Sequence, residues 1–128
     1  MADTDAILEE LRDQGERTIQ LIEAEIEAFT RCIELDPEDA SAHYNLGIAL
    51  KDARKDDVQA EAMYRKTIEL DPKHVDAHWN LAILLEMRGE VEGAIREARE
   101  CARLGDPEGD ARVETLLAER GLRARAPR

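Results

Sequence analysis

Aromatic residues are scarce in this sequence: Phe29, Tyr44, Tyr64 and Trp79 are the four among 128 residues. Packing is therefore left to Ala, Leu and Ile, side chains that suit helices laid closely together. Cysteine is scarcer still, and neither Cys32 nor Cys101 has a CxxC or Cys/His spacing around it. That excludes a cysteine-based metal or redox motif and leaves two thiols expected to fill small buried positions, with no disulfide. No apolar run approaches the length of a membrane span, and none follows a basic start. A cytoplasmic location without a membrane anchor is the expectation.

Positive charge is also short, with 18 Lys and Arg against 30 Asp and Glu, a net charge of −12. The imbalance is local: residues 1–40 hold 13 acids and 3 bases, and the remainder is nearly balanced. A surface of that sign repels phosphate backbones and anionic lipid, so no nucleic acid and no membrane surface are expected as partners. The basic tail, residues 122–128, contains no aromatic and is expected to be a flexible terminus.

Chemistry is sparse too. There is no glycine-rich phosphate loop, no nucleophile elbow and no Ser/His or Cys/His pair at a working spacing. No enzyme and no cofactor are expected. His74 and His78 stand four apart near Asp71, yet no third ligand converges on them, so they are assigned to structure rather than to a metal.

What is present is a repeat. "ELDPEDASAHYNLGIAL" (residues 34–50) returns as "ELDPKHVDAHWNLAILL" (residues 69–85) at an offset of 35. Further on the offset is 34, Ala60 answering Ala94, so one extra residue belongs near Lys55–Val58. Each unit carries two apolar stripes of helical period: Leu46, Ala49 and Leu50 then Ala60, Tyr64, Thr67 and Ile68, and Leu81, Leu84 and Leu85 then Ala94, Ile95, Ala98 and Cys101. These stripes predict helix-turn-helix units in an all-α chain, with Pro37, Pro72 and Pro107 at helix ends, where proline cannot continue the hydrogen-bond ladder. At 128 residues the chain suits a single domain, 1–128.

The Leu46-Gly47 and Leu81-Ala82 pairs, Ala60 and Ala94, Tyr64 and the closing prolines resemble the tetratricopeptide repeat family. The resemblance implies units stacked as a short right-handed superhelix. It departs from the family pattern at His43 and His78, which stand in the usual tryptophan slot with Tyr44 and Trp79 one residue later. The expected division is an N-terminal helical segment (3–37) ending in a half repeat, units at 40–73 and 75–105, a capping helix (107–121) and the tail. Ile19, Ile22, Ile26, Phe29 and Ile33 follow 3-4-3-4 spacing, so the N-terminal segment is either one helix from about residue 4 to 35 or two broken near Gly15.

By the same resemblance the first helices line a concave groove that binds a protein or peptide. Tyr44, Asn45, Ile48 and Asp52 would share it with Trp79, Asn80, Ile83 and Met87. An amide offers a donor and an acceptor to a ligand backbone, and aromatic and aliphatic neighbours give contact area. The competing reading is that the asparagines bridge helices and the aromatics are half-buried packing. The lysine and asparagine of the carboxylate clamp found in co-chaperone members are missing, Tyr44 and Ile48 standing in their places. An apolar, amphipathic or basic segment is therefore the expected partner of an adaptor or scaffold. The alternative is self-assembly, a homo-oligomer formed through the N-terminal helix or the terminal faces of the stack.

Overall fold

The computed structural model describes residues 4–125, and the side chains of all of these except Arg54 and residues 122–125. Three Asp-Pro turns set its frame. In each, the aspartate carboxylate accepts the N–H two residues on, Asp36 from Glu38 (3.1 Å), Asp71 from Lys73 (3.2 Å) and Asp106 from Glu108 (2.9 Å). The aspartate carbonyl then accepts the N–H three residues on, from Asp39, His74 and Gly109. A side chain that mimics a backbone turn, followed by a proline that lacks a donor, stops one helix and aims the next.

The helices so delimited are α1 (Thr4–Leu35), α2 (Ala40–Arg54), α3 (Asp57–Leu70), α4 (Val75–Met87), α5 (Val91–Arg103) and α6 (Gly109–Arg125). No strand occurs among the described residues, and no helix there is long and apolar enough to cross a membrane. Three starts are capped by side chains: Asp39 accepts the Ala42 N–H, Asp56 that of Gln59, and the His74 ring nitrogen that of Ala77. Each satisfies an otherwise orphaned helix donor, worth about 1 kcal/mol. The two units differ between their helices. α2 reaches Arg54 and turns through Lys55 in the left-handed region (φ 52°), whereas α4 stops earlier and turns at Gly89 (φ 81°). The extra residue of the first unit is absorbed at the end of α2.

Each helix packs on its neighbours in the chain, α1 on α2 through to α5 on α6, giving a linear stack. Small residues set the spacing. A β-carbon on Gly47 would come within 2.8 Å of the Tyr64 ring, and Ala60 and Ala94 are wholly buried. Leu81, Leu84, Leu85, Ile95 and Leu116 fill the space between α3 and α6, with Val113 and Leu117 packed against them. A smaller cluster joins Ile26 of α1 to Leu46, Ala49 and Leu50 of α2.

Two expectations need correction. Cys101 is buried, where it faces the Val75 carbonyl and burial pushes its thiol up to about 11, but Cys32 is exposed. The reason is architectural. Thr67 and Cys101 lie at one register, each against the first helix of its own unit (Ala40 and Val75), whereas α1 runs straight back and leaves Cys32 without such a cover. The helix at the other end is longer than expected: α6 continues past residue 121 to Arg125, in keeping with the helix-forming Leu, Arg and Ala of that stretch. Residues 126–128 of the expected tail lie outside the described residues.

α1 itself is continuous through Gly15, 32 residues or about 48 Å long. Its N-terminal half lies in the open, with every residue from Thr4 to Leu21 exposed.

Candidate functional site

The candidate face is carried by α2 and α4, with α1 alongside. Asn45, Ile48 and Asp52 are one helical turn apart on α2, and they meet Ile22, Glu25 and Phe29 of α1 around a notch of about 180 Å³ floored by Ala49. The notch exists because Ala49 is small where α1 and α2 cross. Its walls, Ile22, Phe29 and Ile48, are aliphatic and aromatic, and its rim carries two carboxylates, Glu25 and Asp52. Neither carboxylate is ion-paired among the described residues. A cavity of this size has room for one aliphatic side chain, with negative charge at its edge.

Tyr44 and Asn80 do something else. The Asn80 amide donates to the Tyr44 hydroxyl at 3.0 Å, tying α4 to α2. The Tyr44 ring lies 4.7 Å from the His74 ring and 6.0 Å from that of Tyr64, and burial, then the nearby Asp76 carboxylate, raise its phenol above the ordinary value. These two residues bridge neighbouring helices. Trp79 and Ile83 are half-buried and Met87 is 66% exposed on α4, none of them part of the notch.

The histidines of the repeat also have structural partners. His78 is buried with one ring nitrogen 2.6 Å from a Glu97 carboxylate oxygen and the other 2.8 Å from the Pro72 carbonyl, joining α4 to α5 and to the preceding turn. His43 is buried likewise, its Nδ1 2.9 Å from the Asp39 carbonyl. Among the described residues no group of three or more His, Cys, Asp or Glu side chains is arranged to hold a metal ion. Across the stack, Arg88 pairs with Glu61 and Glu90, Arg112 with Glu86 and Arg120 with Glu92.

The α1 side of the notch was missed by sequence reasoning, which treated Ile22 and Phe29 as seam residues only. A signal was present: Glu25, three residues after Ile22 and four before Phe29, sets an acid at the edge of that seam.

A search of curated proteins by sequence returns no match. Among solved structures, the type III secretion translocator chaperone SycD of Yersinia enterocolitica superposes with a TM-score of 0.70 at 19% identity, covering 94% of this chain and 90% of that one. The same chaperone in complex with a peptide of the translocator YopD gives 0.69 at 19% identity, over 94% and 97% of the two chains. MamA gives 0.64 at 24% identity, over 76% of this chain and 56% of that one. At these identities the likeness is one of fold. Two family models, both tetratricopeptide repeats, match residues 28–62 and 59–108 and together span most of the chain. With its Asp-Pro turns and stacked helix pairs, the chain belongs to the tetratricopeptide repeat family.

Proposed function

We propose that this protein is a non-catalytic interaction module that seats a segment of a partner protein on the face of its first helices, with one aliphatic side chain in the α1–α2 notch. The observation that carries the reading is the notch itself, a preformed apolar cavity on the surface with two carboxylates at its mouth and no ion pair among the described residues to occupy them. A partner segment suited to it has Leu, Ile or Val next to Lys or Arg. Beyond the notch, one repeat on, Trp79, Ile83 and Met87 supply further apolar area. A chaperone of the same fold seen with a translocator peptide supports the class of ligand.

The role of Asn80 narrows relative to Asn45. Asn80 is engaged with Tyr44, while Asn45 lines the notch and is the amide offered to a partner backbone. The test is selection from a displayed library of random peptides on the immobilised protein, followed by titration of the selected peptides in solution. Expected are sequences with an aliphatic residue beside Lys or Arg, and binding weakened about tenfold by Asn45→Ala, roughly one lost hydrogen bond. Selected acidic peptides, or binding indifferent to Asn45→Ala and Asp52→Lys together, would count against the notch.

A further inference from the structure

The face of α1 that packs on α2 does not end where α2 ends. Ile22, Ile26, Phe29 and Ile33 lie on one side of α1 and pack with α2. At 3.6 residues per turn the same side is continued by Leu8, Leu11, Gly15 and Ile19. These are uncovered: Leu8 is 54%, Leu11 58% and Ile19 60% exposed, and a β-carbon added at Gly15 would meet nothing within 4 Å. α2 has already reached its last turn at Ile22, which shares the notch with Asp52. An established helix-helix interface thus runs on for about four turns past the helix that uses it.

The placement of charge around this stripe points to its occupant. By helical geometry, Glu9, Glu10, Asp13 and Arg17 fall on the far side of α1 from it, so most of the acidity of this segment faces away. The borders are Ile7, Gln14 and Thr18 on one side and Arg12 and Glu16 on the other, with Asp5 nearer the N-terminus. Borders so close to neutral give a strongly basic helix little to hold. A second α1 running antiparallel matches them. Leu8 then lies opposite Ile19 of the second copy, Leu11 over Gly15 of the second copy, and Arg12 beside Glu16 of the second copy, each contact made twice by the two-fold axis. The large side chain enters the space left by the missing one, which lets the helices approach closely.

We propose that two copies of this chain associate through antiparallel pairing of the N-terminal halves of α1, about an axis between Asp13 and Gln14. The overlap stops before Ile26, so it does not compete with α2 for the buried end of the same face. Few side chains take part, which places the contact at the weak end of specific interfaces.

Sedimentation velocity on the full chain tests this. A monomer–dimer equilibrium is expected with a dissociation constant above roughly 10 μM. Leu11→Glu with Ile19→Glu, both at exposed positions, should abolish it while leaving helicity and the melting temperature unchanged. The orientation is read by cross-linking in a Cys32→Ser background: Leu11→Cys chains mixed with Gly15→Cys chains should join through a short bismaleimide. In the wild type the two Cys32 residues would be about 55 Å apart and should not join. A monomer at about 1 mM, a dimer indifferent to the two glutamates, or a Cys32-linked dimer without the 11–15 product would each overturn the proposal.

Discussion

Cys32, Thr67 and Cys101 occupy one register of three successive second helices, yet Thr67 and Cys101 are fully buried and Cys32 is exposed. The body from α2 to α6 and the free half of α1 differ in the same way throughout. Side chains of similar type and spacing, Leu81 and Leu84 in one region and Leu8 and Leu11 in the other, are covered in the first and bare in the second. In a stacked repeat the sequence of a helix says which side wants cover, while the neighbouring helix decides whether cover is present. A repeat stack is stable by its interfaces, and α1 has only half of one.

Thiol chemistry gives the largest expected contrast. Cys32 should react with an aromatic disulfide reagent in the native state, whereas Cys101 should wait for opening of the α4–α5 pair and react at least about a thousandfold more slowly. Equal rates would mean that α5 is not held as described. Next in size, Leu81→Ala should cost about 3 kcal/mol in chemical denaturation, while Leu11→Ala should change it by less than about 0.5 kcal/mol. A similar loss at both positions would erase the distinction between the regions. Gly47→Val should cost about 2 kcal/mol, because its β-carbon would meet the Tyr64 ring and the Met63 side chain inside the body. Gly15→Ala, by contrast, should stabilise α1 by up to about 1 kcal/mol, since a mid-helix glycine with open space around it only weakens the helix.

The smallest contrast separates the two asparagines. Asn80→Ala should lower stability by about 1 kcal/mol through loss of its bond to Tyr44, and Asn45→Ala should leave stability nearly unchanged. The two residues look alike in sequence, each following an aromatic and preceding a leucine. Their surroundings make them different, because α2 has Tyr44 within reach of α4, whereas Asn45 opens towards α1.

Much of the fold was legible for a physical reason. A 35-residue recurrence of Asp-Pro turns, apolar stripes and small residues over-determines helix pairs and their close packing, and Gly47 against Tyr64 is its most direct consequence. The exposure of Cys32 was not legible, since it depends on α1 continuing instead of folding back, and no local signal at Gly15 forces either course. The candidate face was legible only in part. The repeat register selected Asn45, Ile48 and Asp52, but the notch also needs Ile22, Glu25 and Phe29 of α1, whose positions follow from the crossing of two helices. Likewise the Tyr44–Asn80 bond joins residues 36 apart on different units. Register marks them as equivalents of Trp79 and Asn45 and says nothing of which pair will meet.

Trp79 offers an optical report on the extent of the bound segment, since its emission should shift if a peptide anchored in the notch continues along α4. The most direct test of the notch is a charge exchange across it. Asp52→Lys should weaken a selected Lys- or Arg-bearing peptide by at least about tenfold in isothermal titration, as expected for loss of a close charge pair. The same peptide with its basic residue replaced by glutamate should regain affinity for the Asp52→Lys protein. Equal affinities in all four combinations, with the peptide still bound, would contradict the assignment of the α1–α2 notch as the anchor site.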